Sequence, residues 1–216
     1  MKAISVGLGM IRKVRIAGGL ALMAVLAGCA STPTPRLYVF APRDGWQKVA
    51  VRDVESSDYT IRFAAIKLPP YLDRPQIVTR VSDNEIKVDQ FNRWGIPLNQ
   101  SVVELLGGAI AQELPKAYVD VVPATSRQSP GYLVQVDVLR LDGFLGGPVE
   151  LIAQWRVQRG GPEPVTIVQK LGRHEHVSSD ESYDAYVEAI RHLLVAMGQD
   201  IAGAIARDLA SNTPIR

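Results

Sequence analysis

The chain has a single cysteine, Cys29, in 216 residues, so no disulfide within the chain can stabilise its fold. The residues before it carry four basic and no acidic side chains, and an apolar run of twelve residues extends from Ile16 to Ala27. Such a run is typical of the h-region of a signal peptide and is too short to cross a bilayer as a helix. It ends in the lipobox-like string LAGC at 26–29. The sequence therefore predicts a lipoprotein precursor that is cleaved before Cys29 and acylated on that cysteine.

This interpretation divides the chain into a signal peptide at 1–28, a lipidated tether at 29–36 and one domain at 37–216. The string ASTPTPR after the cysteine is polar and contains two prolines. At about 3.3–3.6 Å per residue, a tether of this length holds the domain close to its membrane. Ala30 stands where an aspartate would signal retention in the inner membrane. We therefore expect the outer membrane, with the domain on the periplasmic face.

The charge balance excludes one class of partner. The whole chain has 24 basic and 22 acidic residues, but removal of the signal leaves 20 basic residues against the same 22. The remaining chain has no basic stripe with interleaved aromatic residues. We expect no nucleic-acid partner.

Alternation of apolar and polar residues, together with turn residues, predicts strands along most of the domain. They run over Leu37–Ala41, Tyr59–Ile66, a hairpin of Ile77–Val81 with Ile86–Val88, Tyr118–Val122, and a meander of Tyr132–Leu141, Val149–Gln158 and Val165–His176. The residues from Phe91 to Pro97 are predicted to form an aromatic loop.

Two helices complete the prediction. One is expected from an N-cap at Asn99 to Leu114, with Gly107 and Gly108 allowing close approach to the sheet or to the other helix. The other follows a capping box of Ser178 and Glu181 and keeps helical spacing of apolar residues to the end of the chain. The predicted fold class is α+β: a single domain with a largely antiparallel sheet and two main helices packed on one face.

Catalytic and metal sites have little support in the sequence. His174 and His176 would share one face of a strand, as two zinc ligands do, but no third ligand has a telling spacing. No nucleophile elbow, P-loop or H-E-x-x-H motif occurs. We therefore expect no catalytic residues, no metal and no cofactor.

Apolar and aromatic residues in turns indicate contact surfaces instead. Phe144 and Leu145 stand at a hairpin tip, where polar residues are usual, and Tyr71, Leu72 and Trp94 stand in loops that contain proline or glycine. These five residues are the predicted partner-binding residues. A partner subunit, a neighbouring copy of the chain or the membrane surface would cover the hairpin tip. The alternative is that these side chains fold back onto the core.

The run LPPYLDRPQIVTRVSDNEIKVDQFNRWGIPL at 68–98, the predicted helix at 99–114 and the closing helix YDAYVEAIRHLLVAMGQDIAGAIARDL at 183–209 resemble a known family. The string PPYLDRPQIV at 69–78 is the most specific part. The chain resembles the PqiC-like auxiliary lipoproteins of ABC-type intermembrane transport, over most of residues 37–210. The resemblance implies a non-enzymatic outer-membrane lipoprotein that works with an MCE-domain protein spanning the periplasm and with its inner-membrane partner, in phospholipid transport. Only Cys29 receives a defined role from it.

Two alternatives stay open at this point. One is a lipid-binding carrier whose sheet and helices enclose an acyl chain, which would require a roomy apolar cavity between them. The other is a zinc-dependent periplasmic hydrolase built on His174 and His176.

Overall fold

The structure is a computed structural model that describes residues 34–40, 57–64, 66–121 and 131–212. The predicted signal peptide, Cys29 and most of the tether lie outside these residues, so what is expected of them stays a prediction. The described part of the chain forms eight strands and two helices. These are β1 Arg36–Tyr38, β2 Tyr59–Phe63, β3 Gln76–Arg80, β4 Ile86–Trp94, α1 Leu98–Glu113, β5 Ala117–Asp120, β6 Tyr132–Gly143, β7 Pro148–Arg159, β8 Val165–Val177 and α2 Tyr183–Asn212.

Five strands form a mixed sheet in the order β5-β2-β6-β7-β8. Strands β6, β7 and β8 make a long antiparallel meander, whereas β2 pairs in parallel with both β5 and β6. Every second residue of β7 from Val149 to Val157 is buried. This period of two is expected for a strand with one face against a core and the other face wetter.

Strand β6 contains a bulge that changes which side chains face the core. Its register with β7 shifts between Val138 and Arg140, and the extra residue, Leu139, is exposed. Before the bulge the even-numbered valines are buried against the helices, and after it the odd-numbered Leu141 takes that side. Asp142 therefore points to the opposite face of the sheet, because an extra residue inverts the alternation.

The other three strands form a smaller sheet in the order β1-β4-β3, with β1 parallel and β3 antiparallel to β4. One face of this sheet contacts the start of α2. The Tyr186 hydroxyl donates a 2.9 Å hydrogen bond to the carbonyl of Val78 in β3, and the rings of Tyr183 and Tyr38 lie 6.2 Å apart. Helix α2 thus joins both sheets to a common core.

The helices cover one face of the five-stranded sheet. Helix α2 packs on β6, β7 and β8, and α1 packs on β5 and on α2. The core between them is filled by large side chains that are fully buried, among them Trp155, Tyr186, Leu105, Leu106, Ile110, Leu151, Ile190, Leu193 and Leu194.

Glycines permit this close packing. A Cβ atom at Gly107 of α1 would collide with Val121 and press on Val119, so α1 can approach the sheet only without a side chain there. A Cβ at Gly198 of α2 would lie 2.6 Å from the Cβ of Ala109 and 3.3 Å from the carbonyl oxygen of Leu106. The close approach predicted at Gly107 is confirmed, and Gly198 provides the equivalent contact between the helices.

The predicted N-cap at Asn99 is wrong. Helix α1 begins at Leu98, so Pro97 occupies the N-cap position and no side chain caps the helix. The Asn99 Oδ1 atom instead accepts a 2.8 Å hydrogen bond from the backbone N–H of Gln100. Pro97 has the non-helical backbone of an N-cap residue, and its carbonyl accepts a 3.1 Å hydrogen bond from the N–H of Ser101.

The predicted capping box of α2 is also wrong. The helix begins at Tyr183, and the Oγ atom of Ser182 accepts a 3.1 Å hydrogen bond from the N–H of Ala185, which is the N-cap contact. The hydroxyl of Ser178 donates to the carbonyl of Asp180 instead, within the preceding turn. The start of the helix is therefore four residues later than the sequence pattern indicated.

The α+β fold class is confirmed, with one domain at Pro35–Arg216 and two main helices, and each strand of the meander lies where it was predicted. The strands divide between two sheets because Pro69 and Pro70 lack the N–H groups that pairing requires. After an isolated bridge from Lys67 to Asp137 the chain leaves the five-stranded sheet and starts the smaller one. The predicted loop at Phe91–Pro97 is wrong in its first half, because β4 continues to Trp94.

Candidate docking groove and its polar supports

A groove of about 380 Å³ opens between the segment that precedes β3 and the segment that joins β4 to α1. Most of its lining is apolar, and Asp73 and Arg74 are its charged residues. The lining residues are Leu68, Leu72, Asp73, Arg74, Pro75, Trp94, Gly95, Ile96, Pro97 and Leu98. Both walls lie within residues 68–98, one of the runs on which the family resemblance rests.

Local turns shape the first wall. The backbone N–H of Leu72 donates to the carbonyl of Pro69 at 2.9 Å, and that of Arg74 donates to the carbonyl of Leu72 at 2.8 Å. The N–H of Trp94 then donates to the carbonyl of Pro75 at 2.7 Å and joins this wall to the second one. Because each proline presets a turn conformation, the groove is largely formed before anything binds.

The second wall is held by β1. The N–H of Gly95 donates a 2.8 Å hydrogen bond to the carbonyl of Tyr38, and a Cβ at Gly95 would lie 2.7 Å from the Cγ1 atom of Val39. The ring of Phe40 lies 5.3 Å from the indole of Trp94. A side chain at position 95 would push β1 away from the groove.

A buried carboxylate, Asp142, supports the groove from below the first wall. The Tyr71 hydroxyl donates to its Oδ2 atom at 2.6 Å, the Nε atoms of Arg80 and Arg140 donate to Oδ1 at 2.5 and 2.9 Å, and Arg80 Nη2 reaches Oδ2 at 3.3 Å. Burial raises the pKa of Asp142, but the hydrogen bonds from Arg80, Tyr71 and Arg140 outweigh it and leave the pKa below its ordinary value. Burial and the hydrogen bond to Asp142 raise the pKa of Tyr71. Asp142 thus stays ionised and fixes both β3 and the proline turn.

A second carboxylate, Asp89, holds the middle of β4 against α2. Its Oδ1 atom accepts hydrogen bonds from the backbone N–H groups of Phe91 and Asn92 at 2.8 and 2.7 Å, and from the Asn92 side chain at 2.9 Å. Its Oδ2 atom accepts from the hydroxyl of Tyr183 at 2.9 Å. Burial opposes ionisation, yet these four donors hold the pKa of Asp89 below its ordinary value, while burial and the bond to Asp89 raise the pKa of Tyr183 to about 12.

The five predicted partner-binding residues separate into two places. Leu72 and Trp94 are largely buried and line the groove, and Tyr71 is half-buried beside it. Phe144 and Leu145 are partly exposed in the turn between β6 and β7, and Leu145 packs against the core. Asp142, two residues before Phe144, links this turn to Tyr71. Whether a partner binds at either place stays a prediction.

Sequence reasoning did not identify the polar residues that shape the groove. Arg80 was assigned to a predicted strand and Asp142 to the turn after Tyr132–Leu141, and Asp89 received no assignment. The available signal for Asp142 was the break in alternation after Val138, since an uninterrupted strand would place Asp142 on the core face with the valines.

The two histidines proposed as zinc ligands have other neighbours. The ring of His176 stacks on that of His192 with centroids 4.6 Å apart, and the Nε2 atom of His174 lies 3.5 Å from a carboxylate oxygen of Asp200. Within residues 34–40, 57–64, 66–121 and 131–212, no group of three or more histidine, cysteine or acidic side chains is placed to hold a metal ion. In the same ranges no helix combines the length and the hydropathy needed to cross a membrane.

The sequence model of one family, described as the ABC-type transport auxiliary lipoprotein component, matches residues 47–202. The chain belongs to this family. Both walls of the groove and the buried carboxylates Asp89 and Asp142 lie within the matched residues. The description of the family names an auxiliary component of ABC-type transport and not an enzyme. The word lipoprotein in it implies a membrane-associated protein on the periplasmic side.

Solved structures share the fold. A crystal structure of an uncharacterized protein superposes with a TM-score of 0.64 at 19% identity, covering 80% of this chain and 99% of that one. The crystal structure of protein XCC0632 from Xanthomonas campestris, assigned to the DUF330 family, superposes with a TM-score of 0.53 at 16% identity, covering 85% and 100% of the two chains. A search of curated proteins returned no match. This chain therefore has the fold of these two solved structures.

Proposed function

We propose that the protein is an outer-membrane lipoprotein, anchored through acylated Cys29, that acts as a non-enzymatic adaptor of an MCE-type phospholipid transport system. In this role it binds the MCE-domain protein that spans the periplasm from its inner-membrane partner. The observation that carries the proposal is the match to the auxiliary lipoprotein family over residues 47–202. The lipobox-like string at 26–29 supports the anchor, and Ala30 after the cysteine supports the outer membrane.

The groove is the site at which we expect the partner to bind. It is concave, mostly apolar and held by prolines and by hydrogen bonds between its walls, so an apolar segment of the MCE-domain protein would bury surface without first ordering the site. Arg74 is exposed on its lining, where an acidic residue of the partner would pair with it.

The chemistry of the neighbouring polar groups supports a binding role rather than a catalytic one. Both oxygens of Asp142 already accept hydrogen bonds from Tyr71, Arg80 and Arg140, and those of Asp89 accept from backbone amides, Asn92 and Tyr183. A carboxylate in use as a structural acceptor, with a lowered pKa, is a poor general acid or base. The space between the five-stranded sheet and the helices holds buried side chains such as Trp155 and Leu194, so the described core offers no support for an enclosed acyl chain.

The partner is tested by affinity purification of the membrane-anchored protein from envelope extracts, with mass spectrometry of what is retained. Recovery of an MCE-domain protein is expected. Arg74→Glu should reduce that recovery at least about fivefold, because it places an anion at an apolar groove. Arg207→Glu, an equally charged change at an exposed position of α2 outside the groove, should leave it unchanged. Equal recovery with both variants would place the partner elsewhere.

The anchor and the membrane are tested separately. Cys29→Ser should abolish incorporation of labelled palmitate and leave an uncleaved precursor. Separation of envelope membranes on a density gradient should place the acylated protein in the outer-membrane fraction. Labelling of the serine variant, or recovery with the inner membrane, contradicts the corresponding part of the proposal.

A further inference from the structure

The outer face of the three-stranded sheet carries an apolar corner beside β1. The ring of Tyr38 in β1 meets that of Tyr183, and the ring of Phe40, two residues later, meets Trp94. Leu37 in β1 and Val39 just after it are 66% and 56% exposed. Phe91 of β4 lies two residues before Arg93, the partner of Leu37 in the register, and is 39% exposed.

The exposed apolar side chains of β8 are arranged differently from this corner. On β8, Val165, Leu171 and Val177 are spaced six residues apart, which is about 20 Å along a strand, so each stands alone. Leu37 and Phe91 instead lie on the adjacent strands β1 and β4, and Val39 directly follows β1. Scattered apolar residues need no explanation, whereas a contiguous group marks a contact surface.

The length of chain before β1 limits what can cover this corner. Cys29 precedes Arg36, the first residue of β1, by seven residues. Even fully extended, that segment reaches about 25 Å at most. Acyl chains on Cys29 would therefore keep β1 within about 25 Å of the bilayer. A phospholipid surface is thus within reach of the corner.

The charges around the corner suit a phospholipid surface. Arg36 is exposed at the start of β1, and Arg93 lies opposite Leu37 in the register and is half-buried on the outer face. Guanidinium groups bind phosphate oxygens through two parallel hydrogen bonds, and their stems lie easily along apolar surface. Apolar side chains flanked by arginine are what a protein presents to the boundary between headgroups and acyl chains.

We propose that the corner formed by Leu37, Val39 and Phe91 rests on the phospholipid bilayer, with Arg36 and Arg93 at the headgroup phosphates. The proposal rests on the acylation of Cys29 in the proposed function. It sets the orientation of the domain. Because Gly95 lines the groove and contacts Val39, the groove opens beside the lipid surface, and a partner bound there is presented directly to the bilayer.

The experiment uses the full-length protein, processed and acylated in cells and then reconstituted into vesicles of phosphatidylethanolamine and phosphatidylglycerol. Cys29 is the only natural cysteine and its thiol is acylated, so a bimane fluorophore attaches to one introduced cysteine. The variants are Leu37→Cys and Val39→Cys, with Leu171→Cys as the matched control because Leu171 is 62% exposed. Quenching is measured with lipids that carry a nitroxide near the headgroup.

The probes at 37 and 39 should be quenched at least about twofold more than the probe at 171. Equal quenching at all three positions, or shielding that depends on protein density rather than on the quencher lipid, overturns the proposal; the second result identifies another copy of the chain as the cover. Mass spectrometry of the N-terminal peptide tests the acyl anchor separately from the orientation of the domain. An acylated peptide with equal quenching refutes the orientation alone, whereas an unmodified peptide refutes the anchor and the orientation together.

Discussion

The two sheets of the molecule are built in different ways. The meander of the five-stranded sheet consists of strands of 12, 12 and 13 residues whose buried face is covered by helices. The three-stranded sheet has strands of 3, 5 and 9 residues, with a register shift between Gln76 and Val78. It is held by turns, by Asp89 and Asp142, and by contacts with Tyr183 and Tyr186 at the start of α2.

This difference indicates that the larger sheet stabilises the fold and that the smaller sheet provides the contact surfaces. The larger sheet obtains its stability from continuous burial of one face against the helices. The smaller sheet obtains its shape from specific hydrogen bonds, which leave room for a groove and for an uncovered apolar corner. Contact surfaces are expected where local geometry, rather than close packing, determines the structure.

The sharpest test of this comparison uses one tryptophan from each sheet. Trp155→Ala should lower the free energy of unfolding by about 3–5 kcal/mol, because the fully buried indole would leave an enclosed cavity in addition to its lost burial. Trp94→Ala widens a groove that is already open, so only the loss of burial remains, about 1.5–3 kcal/mol. Urea unfolding measures both. Equal losses would mean that the smaller sheet is packed as tightly as the larger one.

Removal of the buried charge tests whether polar contacts support the smaller sheet. Asp142→Asn should destabilise the protein by about 2–3 kcal/mol at neutral pH, because Arg80 and Arg140 lose an ionised acceptor. The folded-state pKa of Asp142 is lowered, so its contribution is present above the unfolded pKa of about 3.9 and is lost as the pH falls through the folded value. The difference between wild type and variant should therefore shrink below pH 4. A difference independent of pH contradicts the assignment.

Variants at the starts of the two helices should change the stability less than Asp142→Asn does. Ser182→Ala should cost about 1 kcal/mol, since the N–H of Ala185 loses its cap. Asn99→Ala in α1 should be neutral or slightly stabilising, because that side chain contacts only the N–H of the next residue and alanine favours helix. Thermal melts of the two variants decide between these positions. A loss at Asn99 as large as that at Ser182 would restore the original assignment of the cap.

The smallest effect on stability is expected at the turn between β6 and β7. Phe144→Ser should leave the melting temperature nearly unchanged and weaken any self-association measured by size-exclusion chromatography, because Phe144 is partly exposed. Leu145→Ser is the control that should lower the melting temperature, since Leu145 packs against the core. A large drop in stability from Phe144→Ser would assign that side chain to the core instead.

The regular half of the fold could be predicted from the sequence, and the irregular half could not. Alternation along Val134, Val136 and Val138 located the meander, because each strand is long and has one buried face. The two walls of the groove come from strings separated in sequence, and only tertiary pairing shows that the N–H of Trp94 reaches the carbonyl of Pro75. The cap at Ser178 failed for a related reason: residues 178–182 are all polar, and local composition does not say which of them is the last before the helix. The cap at Asn99 failed because α1 begins directly after Pro97, before the first polar residue.

The bulge at Leu139 has a consequence for comparing this protein with distant relatives. In β6 the core-facing side chains have even numbers before the bulge and odd numbers after it. If a relative lacks the bulge, an alignment without a gap at this point would pair core positions of this chain with solvent positions of the relative from Arg140 onward. At identities of 16–19% there are few identical residues to correct such an error. An insertion or deletion of one residue at position 139 should therefore be treated as a change of strand phase. A relative that lacks it would need a different residue type wherever this chain has Leu141 and Asp142.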